Sequence, residues 1–185
     1  MRSSPRIIRN GMLPLVALAL GLGLAAPLAQ AHGKKHVHGE MALDVAVDGP
    51  TLQLQLTAPL DTLVGFERRP RNDAERAAAA AALATLRNPA AWMTPDAAAG
   101  CTPGELTLEP GPLEGEAKPG EQAGHADVEL SVAWRCSQPA ALKGVALKLF
   151  EAFPRTKRIE VQVAGGQGPA KQVLRKGNPV LRLGR

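Results

Sequence analysis

Apolar and polar residues alternate along several stretches of this chain, and a period of two predicts half-buried strands. From His36 onward Val37, Met41, Leu43, Val45 and Val47 fall on one side, with His36, His38, Glu40 and Asp44 on the other. Asp48-Gly49-Pro50 is a turn signal, and Leu52, Leu54 and Leu56 resume the alternation from Thr51 to Thr57, so the two runs predict a hairpin. A further alternating run spans His125 to Cys136. It places Ala126, Val128, Leu130, Val132 and Trp134 on one face and His125, Asp127, Glu129 and Arg135 on the other.

Between these runs the pattern changes. Residues 59–70 predict a connector containing Gly65-Phe66-Glu67. An alanine-rich helix follows, capped by Asn72 or Asp73 with Glu75 where a capping box needs its carboxylate, and ending at Asn88-Pro89. A short strand is expected over Glu105 to Glu109. The stretch 110–124, rich in Pro, Gly and Glu, is expected to be an exposed, mobile loop. Leu142, Val145, Ala146, Leu149, Phe150 and Phe153 recur at helical spacing after Pro139 and predict a second, amphipathic helix closed by Pro154. Arg158 to Val163, Ala170 to Leu174 and Val180 to Leu183 are expected as short strands. The elements sum to an α+β fold, antiparallel sheet with two packed helices.

The first thirty-one residues are read separately. Arg2, Arg6 and Arg9 precede an apolar run from Met12 to Ala29, and Ala29-Gln30-Ala31 closes it, which are the three parts of a secretory signal peptide cleaved after Ala31. The competing reading is an uncleaved membrane anchor. Pro14, Pro27 and several glycines interrupt the run, whereas a span needs about twenty apolar residues. Residues 32–185 are then expected to form a single domain in the periplasm, with no stable membrane anchor.

Export changes what the charge means. The chain carries 22 basic and 17 acidic residues, but three basic residues lie before residue 32 and the remainder has a net charge of only +2. With 3% aromatic residues and no clustered basic face, a nucleic-acid partner is not expected. The two cysteines, Cys101 and Cys136, suit a disulfide in an oxidising compartment, and the alternative is a pair of free thiols acting as metal ligands. A disulfide leaves histidine and carboxylate as ligand types.

All four histidines sit in informative places. His36 and His38 are two apart, and so are His125 and Asp127, each pair at the start of an alternating run and opposite its apolar face. If the two strands lie near one another, three imidazoles and a carboxylate converge, a donor set that suits tetrahedral zinc. The bland alternative is idle, solvated histidines. Glu40 and Glu67 are weaker candidates, as ligands or as acceptors that orient an imidazole. His32, the first residue after the cleavage point, opens a copper reading in which its amine and imidazole chelate together with the other histidines. A third reading is a metal-independent envelope adaptor. No G-x-S-x-G, H-E-x-x-H or phosphate-cradling glycine loop is present, so an enzyme is not expected.

The chain also resembles the ZrgA-like family of zinc-regulated periplasmic proteins. The resemblance rests on His36-Val37-His38-Gly39-Glu40 running into Val45-Ala46-Val47-Asp48-Gly49, on Leu63-Val64-Gly65-Phe66-Glu67, and on His125-Ala126-Asp127. Cys136, Leu149-Phe150-Glu151-Ala152-Phe153-Pro154 and Gly166-Gln167 extend it in order through nearly all of residues 32–185. It implies a zinc-binding accessory protein that holds or delivers zinc beside an ABC-type importer, whose substrate-binding protein is the implied partner. It also implies a site drawn from the histidine-bearing strands. Two departures stand out: residues 110–124 carry no histidine, and Arg68 follows Gly-Phe-Glu where the family often has histidine.

Overall fold

The structure, a computed structural model, describes residues 37–115, 126–165 and 168–183. Strand β1 (Glu40–Asp48) turns through Gly49 into β2 (Thr51–Pro59), and the pair is antiparallel with Leu43 opposite Leu56 and Val45 opposite Leu54. Helix α1 (Leu60–Val64) is a little over one turn long, α2 (Asp73–Leu86) is the one long helix described, and α3 (Pro89–Trp92) is a single turn. Strands β3 (Met93–Pro95), β4 (Cys101–Glu109), β5 (Asp127–Cys136) and β6 (Gly144–Leu147) follow. Helix α4 (Leu149–Ala152) then leads to β7 (Arg158–Ala164), β8 (Ala170–Arg175) and β9 (Val180–Arg182).

The strands form a six-stranded sheet in the order β4-β5-β2-β1-β7-β8 and a three-stranded sheet in the order β3-β6-β9. All described pairings are antiparallel except β1 with β7. The fold class is therefore α+β with sheet dominant.

Alternation decides which way each strand faces. Met41, Leu43 and Val45 of β1, Leu52, Leu54 and Leu56 of β2 and Val128, Leu130, Val132 and Trp134 of β5 are all buried. They join one core with Ala79, Ala82, Leu83 and Leu86 of α2 and with Val145, Leu147 and Leu181 of the small sheet. The opposite face of the large sheet carries Asp44, Gln53, Gln55 and Glu129, all exposed. Burial of apolar area is the main term favouring this arrangement, at about 25 cal/mol per Å² removed from water. Cys101 and Cys136 stand directly opposite each other at the end of the β4–β5 ladder and are joined by a disulfide, so neither sulfur is available as a ligand.

Helix α2 starts as its sequence predicts. Asn72 is the cap, its side-chain oxygen accepting from the Glu75 N–H at 2.9 Å. The expected helix from Pro139 to Phe153 does not form. Its residues divide into a 3-10 turn (Pro139–Ala141), strand β6 and the single turn of α4. Gly144 and β-branched Val145 are poor helix formers, and tertiary partners decide the outcome. The N–H groups of Lys143 and Gly144 both donate to Asp96 Oδ2 at 2.7 Å, and β6 is laddered on both sides by β3 and β9. A side chain at 144 would also meet the Leu181 carbonyl oxygen at 2.9 Å.

Strand β4 is longer than expected, with a register shift between Pro103 and Leu106. The start of the expected loop is ordered as a 3-10 turn, Gly111–Leu113, with Leu113 buried. Residues 116–125 lie outside the described residues. At the other edge the side chain of Gln172 in β8 bonds twice to the backbone of Arg182. It donates to the carbonyl at 2.6 Å and accepts from the N–H at 3.1 Å.

Leu54 has no exposed surface and lies between β1 and β5. Leu54→Ala is expected to lower stability by roughly 2–5 kcal/mol, read as a fall in the urea midpoint with the disulfide intact.

Candidate metal centre

Three chain segments meet at one end of the large sheet: the start of β1, the junction of β2 with α1, and the start of β5. Strand β2 is the common neighbour, antiparallel to both of the others, so β1 and β5 begin where β2 ends. Pro59, opposite Asp127, is the last residue of β2. The next N–H, that of Leu60, donates to the Ala126 carbonyl at 3.0 Å, which ties the first residue of α1 to the entry into β5.

His38 lies in a turn and not on the strand that its alternation predicts. The Glu40 N–H donates to the Val37 carbonyl at 2.9 Å, and Gly39 adopts φ +85°, a conformation costly for any residue with a side chain. Glycine interrupts the alternation, and Val37, expected on the core face, is exposed. Both backbone groups of Gly39 are engaged. Its N–H donates to the hydroxyl of fully buried Thr62 at 2.9 Å, and its carbonyl accepts from the N–H groups of Lys157 at 2.7 Å and Arg158 at 3.2 Å. The residue beside His38 is thereby fixed to both α1 and β7.

The imidazole stands between two carboxylates. Its Nε2 is 3.0 Å from Glu67 Oε1, a hydrogen bond, and its Nδ1 is 3.7 Å from Asp61 Oδ2, beyond hydrogen-bond range. The His38 side chain is 54% exposed, so the pair of donors is open to solvent. With the proton on Nε2, the ring donates to Glu67 while Nδ1 faces Asp61. Two ligands on one tetrahedral zinc, at about 2.0–2.2 Å each, lie roughly 3.4 Å apart. The 3.7 Å gap between Nδ1 and Oδ2 is close to that spacing, whereas the 3.0 Å contact is a direct hydrogen bond, of the kind that orients an imidazole.

Glu67 reaches this position through Gly65, the left-handed cap of α1 at φ +87°, whose N–H donates to the Asp61 carbonyl at 2.9 Å. A side chain at 65 would also lie 2.6 Å from the Arg155 guanidinium. After Glu67, Arg68 makes a two-pronged pair with Glu75 at 2.7 and 2.9 Å and lies 5.2 Å from the Phe66 ring centre. Glu75 also accepts from the Arg71 N–H at 2.7 Å. The Arg68 fork, followed by the Arg71 amide, holds the Glu75 carboxyl down to about 2, and the same pair raises the Arg68 guanidinium.

The sequence candidates thus separate. His38 and Glu67 are in contact. Asp127 opens β5 at the same sheet end, one residue from the Ala126 carbonyl that holds α1. Glu40 points its carboxylate to Arg158 at 2.7 Å, and Arg158 also meets Glu160 at 2.8 Å. His32, His36, His125 and the cleavage point after Ala31 lie outside the described residues. Among the described residues, no group of three or more His, Cys, Asp or Glu stands ready to hold a metal. Asp61 and Thr62 were not singled out in the sequence. They lie within an apparent connector, and a helix of five residues is too short to show a period.

The fold and this site define a sheet-dominant α+β protein with an exposed imidazole flanked by carboxylates at one sheet end. The model of the ZrgA family of zinc uptake proteins matches residues 35–183, and the chain belongs to that family. No curated protein matches the chain significantly. No described helix is long and apolar enough to cross a membrane.

Two outcomes follow from the geometry. Thr62→Val leaves the Gly39 N–H without its acceptor and is expected to cost about 1–3 kcal/mol in chemical denaturation. Glu75 has a folded pKa of about 2 against an ordinary 4.5, so its contribution is complete above about 4.5 and disappears as pH falls toward 2. The urea midpoint of the unaltered protein is expected to exceed that of Glu75→Gln at pH 7, and the gap to close between pH 4.5 and 2.

Proposed function

We propose that this protein is a periplasmic zinc-binding protein, not an enzyme, that holds zinc or delivers it to an ABC-type uptake system. The supporting observation is the spacing of His38 Nδ1 and Asp61 Oδ2, which suits two ligands of one zinc ion, with Glu67 orienting the ring from behind. Zinc here is cargo.

The remaining two ligands are proposed to come from among His125, His36 and Asp127. The ladder registers support this choice. Ala42, Thr57 and Glu129 stand side by side across β1, β2 and β5. Counting four residues outward along each chain from that row reaches His38, Asp61 and His125. His38, in the turn before β1, and Asp61, in α1, thus lie just beyond that row, and the same count along the sequence before β5 favours His125 as the third donor of a site built across the sheet end. Membership of a zinc uptake family supports the choice of metal. The disulfide between Cys101 and Cys136 fits export through the amino-terminal segment, whose proposed cleavage follows Ala31. The copper reading depends on His32, and nothing among the described residues favours it. The partner proposed for delivery is the substrate-binding protein of the importer.

Calorimetry at pH 7 on protein purified from the periplasm is expected to show zinc binding tighter than micromolar. His38→Ala and His125→Ala are each expected to remove most of the affinity, and Asp61→Asn to weaken it. Because neutral imidazole is the ligand form, affinity is expected to fall below about pH 6.5. Absence of zinc binding tighter than micromolar overturns the proposal.

A further inference from the structure

The segment that carries Glu67 is anchored on both sides by groups that cannot themselves bind zinc at the site. On one side the Phe66 ring packs against the core. On the other, Arg68 closes a planar fork on Glu75, with Nη1 donating to Oε2 at 2.7 Å and Nη2 to Oε1 at 2.9 Å. Nη1 also donates to the carbonyl of Arg69 at 3.2 Å, and the guanidinium lies 5.2 Å from the Phe66 ring centre. Paired, charge-assisted bonds of this kind fix geometry as well as supplying energy. Their far end does not move freely. Glu75 sits in the first turn of α2, its N–H on the Asn72 cap and its carboxylate on the Arg71 N–H, and α2 is held by four buried residues.

We propose that Arg68 is a positioning residue for the zinc site. By locking the chain after Glu67 to the start of α2, it sets the Glu67 carboxylate at His38 Nε2 before any metal arrives. The imidazole then presents Nδ1 toward Asp61 without a search among ring orientations. This deepens the zinc-binding reading and rests on it for the affinity effect, while the ring-orientation effect stands apart from it. Lysine does not replace arginine here, because a single ammonium cannot fork across both carboxylate oxygens.

The test uses the full mature protein in four forms: unaltered, Arg68→Ala, Arg68→Lys and Glu75→Gln, with zinc titrated by calorimetry. Loss of an outer contact that orients a ligand typically costs 10–100-fold in metal affinity. Arg68→Ala and Arg68→Lys are both expected to weaken zinc by about tenfold or more, and Glu75→Gln to weaken it in the same direction. In a Glu67→Ala background, Arg68→Ala is expected to add no further loss, because the contact it supports is gone. In the metal-free protein, nitrogen NMR of the His38 ring should report loss of the hydrogen bond to Glu67 in Arg68→Ala.

Wild-type affinity in Arg68→Lys, or a full additional loss in the Glu67→Ala background, overturns the proposal. So does an unchanged ring-nitrogen signature in Arg68→Ala. Should Arg68→Ala fail to fold, Arg68→Lys and Glu75→Gln carry the same comparisons. Failure of the unaltered protein to bind zinc would remove the zinc-binding reading, and the ring-nitrogen measurement would still decide the role of Arg68.

Discussion

Strand β2 is the constraint on which the candidate site depends. It is hydrogen-bonded to β1 on one side and to β5 on the other, antiparallel to both, and its alternate leucines are fully or almost fully buried. Two strands that oppose the same neighbour must start at the same end of the sheet. The meeting of His38, Asp61 and the entry to β5 is therefore a consequence of strand direction, and no long loop is needed to gather them. A slip of one residue in either ladder would turn the leucines outward. The same burial that makes the sheet stable therefore fixes where His38 and Asp61 stand at its end.

Much of the fold was legible because burial and alternation agree. The buried faces of β1, β2 and β5 are the ones the sequence pattern assigns, and Asn72 caps α2 as its spacing suggests. The failures have specific physical causes. Leu142 through Phe153 match a helical period, yet Asp96 takes the N–H groups of Lys143 and Gly144 and two strands claim the rest of β6. That competition comes from residues distant in sequence. The alternation predicts a strand at His38 because Val37 continues the apolar pattern, yet His38 lies in a turn. Only the left-handed backbone of Gly39 marks the change, and glycine also occurs in strands.

The carboxylates show how little residue type decides by itself. Glu40 and Glu67 are equivalent candidates in the sequence, but the first faces Arg158 and the second faces His38. A third, Glu75, is drawn into the Arg68 fork and becomes a structural anion far below the ordinary carboxyl range. What separates them is the nearest hydrogen-bonding partner: Arg158 for Glu40, His38 for Glu67 and Arg68 for Glu75. Asp61 was hidden for another reason: one helical turn between a proline and a glycine resembles a loop until its hydrogen bonds are drawn.

The Gln172 amide turns one N–H and its carbonyl oxygen to Arg182, the same donor and acceptor that a peptide group presents. It behaves as a surrogate link of main chain, splicing the final strand of the small sheet to the rim of the large one. A bare rim is a template on which stray polypeptide can crystallise into fibrils. On this rim, part of that template is already taken by a neighbour from the same molecule, and β9 serves as its selvedge.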